Sequence, residues 1–142
     1  MKLILLTGAS NTGKSQTLNI VFNALQIFGY QRFQNHFRVL GDPVQRDFID
    51  ITERNNYRVG FATMGDYEVN KAHPNDTVQA LFAYLQNQQC ECIVMACNDN
   101  LNVAFNFLMQ NNPIIIHKQV DANPTNQLIL NSIDAEIIFK LI

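Results

Sequence analysis

Lys2-Leu3-Ile4-Leu5-Leu6-Thr7-Gly8-Ala9-Ser10-Asn11-Thr12-Gly13-Lys14-Ser15 opens the chain, and its period changes halfway. Lys2 to Thr7 is a short apolar run that stops at a glycine-containing turn, which by length and flanks reads as a buried strand. From Lys14 onward, Leu18, Val21, Phe22, Leu25 and Phe28 recur at helical spacing until Gly29 supplies a stop. Between strand and helix, Gly8 to Ser15 matches G-x-x-x-x-G-K-[ST] at every fixed position. Gly8 and Gly13 lack a Cβ, so the loop can take unusual dihedrals and bring its backbone close to an anion. Successive loop amides then converge as a nest. The helix behind adds unpaired N–H groups and the positive end of its dipole.

Working outward, residues 30–46 show no clean period and contain a turn signal, Gly41-Asp42-Pro43. Asp47 to Glu53 and Tyr57 to Thr63 read as strands joined by Arg54-Asn55-Asn56, a pattern that admits a hairpin. Met64-Gly65-Asp66 leaves the sheet. Pro74-Asn75-Asp76 opens a helix to about Gln88, with Val78, Leu81, Phe82 and Leu85 as its apolar stripe. Cys92 to Cys97 reads as a buried strand, Asn98-Asp99-Asn100 as a cap, and Leu101 to Gln110 as a helix. Pro113 to His117 is a further strand. Asn123-Pro124 is an N-cap with proline at the first helical position, starting a helix to about Ser132. Ala135 to Leu141 is expected to close the chain as a strand. Strands alternating with helices predict a single α/β domain over residues 1–142. Its expected architecture is a three-layer α/β/α sandwich on a mostly parallel sheet, with room for one antiparallel hairpin strand.

Composition fits that reading. Charged residues are 15% of the 142, below the usual quarter or so, and 18 Asn with 12 Gln take the polar role. The net charge of −2 and pI near 5.8 speak against a generic nucleic-acid binder. No apolar run approaches the roughly 18 residues of a membrane span, and the apolar start is too short for a signal peptide. Cys90, Cys92 and Cys97 are odd in number, cluster at one apolar stretch and lack a second metal-ligand pair. They are expected to be reduced thiols of a cytoplasmic protein.

Through Gly8–Ser15, set between a strand and a helix, the chain resembles the P-loop NTPase superfamily. The resemblance implies that Gly8, Ala9, Ser10, Asn11, Thr12, Gly13, Lys14, Ser15 and Gln16 cradle the phosphates of a nucleoside triphosphate, ATP by expectation. It further implies that Lys14 reaches the β- and γ-phosphates and that the Ser15 hydroxyl binds Mg²⁺. Such proteins place an Asp after an apolar strand to hold the metal through water. Two residues qualify. Asp66 follows Val59 to Thr63, and Asp99 follows Ile93 to Cys97. Asp66 is the preferred metal residue, and both stand as catalytic candidates. Asp99 also reads as a helix cap and Glu68 as an exposed loop carboxylate, with water activation the alternative for Glu68.

Arg32, Arg38, Arg46, Arg54 and Arg58 all lie between the first helix and the third strand, where nucleotide kinases commonly bind their acceptor. Residues 99–116 contain no Lys or Arg, so the arginine-rich lid of such kinases is missing. The guanine-reading N-K-x-D pattern is also missing, since Asn70-Lys71-Ala72-His73 lacks the Asp. His36, His73 and His117 form no visible triad. The expected function is therefore Mg²⁺-dependent phosphoryl transfer from an NTP to water or a small acceptor. A regulatory NTPase that signals to a protein partner, or a binding module without chemistry, is the alternative.

Overall fold

The computed structural model describes residues 1–142. Seven strands and four helices follow one another as β1 (Lys2–Gly8), α1 (Lys14–Ile27), β2 (Gln31–Arg32), β3 (Arg38–Leu40), β4 (Asp47–Arg54), β5 (Tyr57–Ala62), α2 (Val78–Asn87), β6 (Cys92–Asn98), α3 (Asn102–Met109), β7 (Ile114–His117) and α4 (Pro124–Leu141). The sheet order is β2-β4-β5-β6-β1-β7, with β3 also paired to β4. Alternate residues of β1 serve opposite faces. Leu3 and Leu5 join α2 and α3 in one apolar cluster, and Ile4 and Leu6 join α1 and α4 in the other. A strand buried on both faces needs this near-continuous apolar run, which is why β1 was legible.

The expectation of a mostly parallel sheet is corrected: the sheet is mixed. β5, β6, β1 and β7 run parallel, whereas β4 is antiparallel to β5 and to both short strands beside it. The cause is local. Asn55 and Asn56 both take left-handed φ, 52° and 63°, making a tight turn that can only join antiparallel strands. The two strands β2 and β3 lie in the stretch that showed no period, because two or three residues are too few to display one.

The expected closing strand Ala135–Leu141 is also corrected. These residues continue α4, which does not stop near Ser132. No glycine or proline interrupts the chain after Pro124. The buried positions Asn131, Asp134, Ala135 and Ile138 recur at the spacing of one helix face and pack toward α1. The β-branched pair Ile137-Ile138 imitates a strand over a short window only. The start of α4 matches the reading, with Asn123 Oδ1 accepting from the amides of Thr125 and Asn126. At α2, Pro74–Asp76 forms a separate 3₁₀ turn, and Thr77 caps the helix itself. No helix is long and apolar enough to cross a membrane.

Candidate functional site

β1 ends where the Gly8–Ser15 loop begins, and the loop turns on two left-handed residues, Asn11 (φ 58°) and Gly13 (φ 87°). At Gly13 an added Cβ would also lie 2.6 Å from Asn131 Oδ1, so glycine is required on both counts. The amides of Gly13, Lys14, Ser15 and Gln16 find no protein acceptor, as expected at a helix start. Thr12 Oγ1 donates to the Ala9 carbonyl at 2.8 Å and closes the bend. Lys14 Nζ donates to the carbonyls of Ala9 at 2.5 Å and Gly8 at 3.3 Å. Burial lowers its pKa, and the charges of Asp66, Asp99 and Asp47 act against that fall.

The loop borders a cavity of about 430 Å³, with Asp47, Thr63, Asp66 and Gln127 on its other walls. Asp47 is the residue that sequence reasoning missed. Ser15 Oγ donates to Asp47 Oδ1 at 2.5 Å, and Thr63 Oγ1 donates to the same oxygen at 3.0 Å. Asp47 is buried, which raises its pKa, while those two hydrogen bonds pull the other way. Its position follows from strand direction. β4 is antiparallel, so it starts at the edge where β5, β6, β1 and β7 end. A partial signal existed in the sequence: folding the hairpin about Asn55-Asn56 lays the start of β4, Asp47 included, against the end of β5.

Asp66 reaches the cavity, as read from the sequence, but stands across from Ser15 without a direct bond to it. Its Oδ1 accepts from Asn98 Nδ2 at 3.1 Å, and the same amide group donates to Ser10 Oγ at 3.0 Å. Asp99 is fixed beside the loop by its amide, which donates to the Gly8 carbonyl at 3.0 Å, yet it does not line the cavity. The capping roles are corrected. Neither Asn98, Asp99 nor Asn100 caps α3 with its side chain. Glu68 Oε2 does so, accepting from Val103 and Ala104 at 2.9 and 3.0 Å. A carboxylate thirty-odd residues upstream cannot be recognised as a cap from local pattern.

A run of amide side chains supports the loop from α4. Asn131 Nδ2 donates to Gln16 Oε1 at 3.0 Å, and Gln127 Nε2 donates to Asn131 Oδ1 at 2.9 Å. Beneath them Lys118 pairs with Asp134 at 2.8 Å, both fully buried. The arginines are mostly engaged elsewhere: Arg32 with Asp50, Arg38 with Asp76, Arg58 with Glu53, and Arg54 with the Phe28 carbonyl. His36 bonds Tyr84 Oη at 2.6 Å and stacks on Phe33, away from the loop. Cys90, Cys92 and Cys97 are free and buried. Burial pushes their pKa values up to about 12, 11 and 11, which makes them poor nucleophiles.

No group of three or more His, Cys, Asp and Glu side chains forms a cation cage. The Ser15 hydroxyl and the Asp47 carboxylate are hard oxygen donors, which suits Mg²⁺. That ion keeps several waters and needs only one or two protein ligands beside phosphate oxygens. Comparison of the chain with protein-family models, with curated proteins and with solved structures finds no match.

Proposed function

We infer that this chain binds a nucleoside triphosphate, ATP by preference, together with Mg²⁺ and transfers its terminal phosphoryl group to a small acceptor or to water. The observation that carries this reading is the juxtaposition at one sheet edge of free loop amides, a buried Lys14 and the Ser15–Asp47 pair. Amides and Lys14 neutralise charge on the phosphates. The hydroxyl of Ser15 and the carboxylate of Asp47 are the residues that would hold Mg²⁺, which when bound offsets charge developing on the transferred group. Lys14 must exchange its bonds to the Gly8 and Ala9 carbonyls for phosphate oxygens. Asp66, held by Asn98, is placed to receive a proton from the attacking group. Catalysis rests on positioning and charge.

Lys14→Ala is expected to weaken Mg·ATP binding by about 1.5–3 kcal/mol, the usual worth of a hydrogen bond to a charged group. Calorimetric titration measures it, and equal affinity in variant and parent overturns the reading. A second reading, a nucleotide-dependent protein-binding module, is favoured by Ile129, Ile133 and Ile137, which are exposed along one side of α4. It expects Mg·ATP to be bound while γ-labelled ATP yields neither labelled acceptor nor free phosphate.

A further inference from the structure

A second hollow of about 280 Å³ lies beside the phosphate cavity and has a different chemistry. The two adjoin, since Asn11, Gln45, Asp47 and Asp66 border both. Every charged side chain on the wall of the second hollow is acidic: Asp42, Asp47 and Asp66. Tyr67, 43% exposed, and Met64 supply its apolar surface. Asn98, only 3% exposed, completes it. The Nδ2 of Asn98 is spent on Ser10 and Asp66, while its Oδ1 is buried without a donor.

This wall carries three carboxylates and no basic side chain, beside the hydroxyl and amide groups of Ser10, Asn11, Gln45 and Tyr67. A ligand that fits it brings positive charge and N–H groups, because the wall presents carboxylates and no cation of its own. An exposed tyrosine ring favours a cation over its face. An anionic ligand meets like charge at Asp42 and Asp66. The other hollow near the site, between Phe22 and Phe37, shares only Asp47 with the phosphate cavity, and its Arg32 is already paired with Asp50.

On the reading that Gly8–Ser15 holds a nucleoside triphosphate, we propose that this acidic hollow is the acceptor subsite and selects a small alcohol that carries an ammonium group. Asp42 and Tyr67 supply charge and ring for the ammonium. The hydroxyl faces the shared wall at Asp66. Its oxygen forms a bond to the terminal phosphorus. The bond from that phosphorus to the bridging oxygen breaks, and its electron pair leaves on the nucleoside diphosphate. The hydroxyl proton passes to the Asp66 carboxylate. Asn98 is a positioning residue, since its Nδ2 occupies Asp66 Oδ1 and leaves the second oxygen for that proton.

The test begins with Mg·ATP affinity by calorimetry. It continues with transfer of label from γ-labelled ATP to ethanolamine, choline and kanamycin, compared with glycerol, glucose and AMP. The expected result is label on the ammonium-bearing alcohols, with kcat/KM at least about tenfold above the neutral ones, as for one hydrogen bond to a charge. Asp42→Asn is expected to raise KM for the ammonium acceptor about tenfold while kcat and ATP affinity hold. Asparagine can still accept the Val44 amide that Asp42 now caps at 3.0 Å. Tyr67→Ala gives an independent readout, a few-fold loss of preference for charged over neutral acceptors. Label going equally or better to glycerol, glucose or AMP overturns the proposal, as does label released only to water with Mg·ATP binding intact. Both outcomes leave the nucleotide reading standing. Failure to bind Mg·ATP at all overturns the two together.

Discussion

Asp50 sits inside β4 with no exposed surface, and burial lifts its carboxyl above the ordinary value of 3.8. The Ile51 amide, donating at 2.8 Å, and Arg32, 3.1 Å away, act in the opposite direction without cancelling burial. A raised folded-state pKa means that the native protein keeps this proton at a pH where the unfolded chain has lost it. Stability from this group is therefore greatest at low pH and declines as pH rises from the ordinary value through the raised one. Asp50→Asn keeps an acceptor for the Ile51 amide and is expected to flatten that decline, read as urea midpoints between about pH 4 and pH 7. Gly65 makes a steric point at the same scale. A Cβ there would lie 2.5–2.6 Å from the backbone of Ala96 and Cys97, atoms of β6 that cannot move aside. Gly65→Ala should cost about 1–3 kcal/mol in chemical denaturation, as overpacking does. It would also displace Asp66 from the cavity.

Among the elements, α3 shows how a helix can depend on a distant loop. It has only eight residues and no cap of its own, and Glu68 serves its first amides from outside. Glu68→Ala is expected to cost about 0.5–2 kcal/mol, the range for losing an N-cap, and Glu68→Gln less because it keeps an acceptor. Hydrogen exchange at Val103 and Ala104 should quicken in the alanine variant. Unchanged exchange there would remove Glu68 from that role. α1 and β1 stand at the other extreme, since their apolar periods and the stop at Gly29 are written in adjacent residues. α4 lies between. Its cap, Asn123-Pro124, is local, but its length is decided by the face that packs on α1 rather than by the isoleucines that imitate a strand.

For the whole molecule, the site joins four strand ends, α1 and α4, so a ligand held there stabilises all of them together. Mg·ATP at a hundred times its dissociation constant is expected to raise the unfolding free energy by about 2.7 kcal/mol. Lys14→Ala at the same concentrations should gain measurably less. A thermal midpoint indifferent to Mg·ATP in the parent would exclude binding to the native state. The sequence by itself determined the strand, the glycine loop, the first helix and the Asn55-Asn56 hairpin, because each depends on residues within a few positions of one another. It also pointed to Asp66. Only the tertiary structure decided that Asp47 meets Ser15, that Asn98 ties Ser10 to Asp66, and that Gln127 and Asn131 brace the loop. Apart from the Gln127–Asn131 bond within α4, those partnerships span tens of residues and depend on strand direction and register, which short-range period and turn chemistry do not encode.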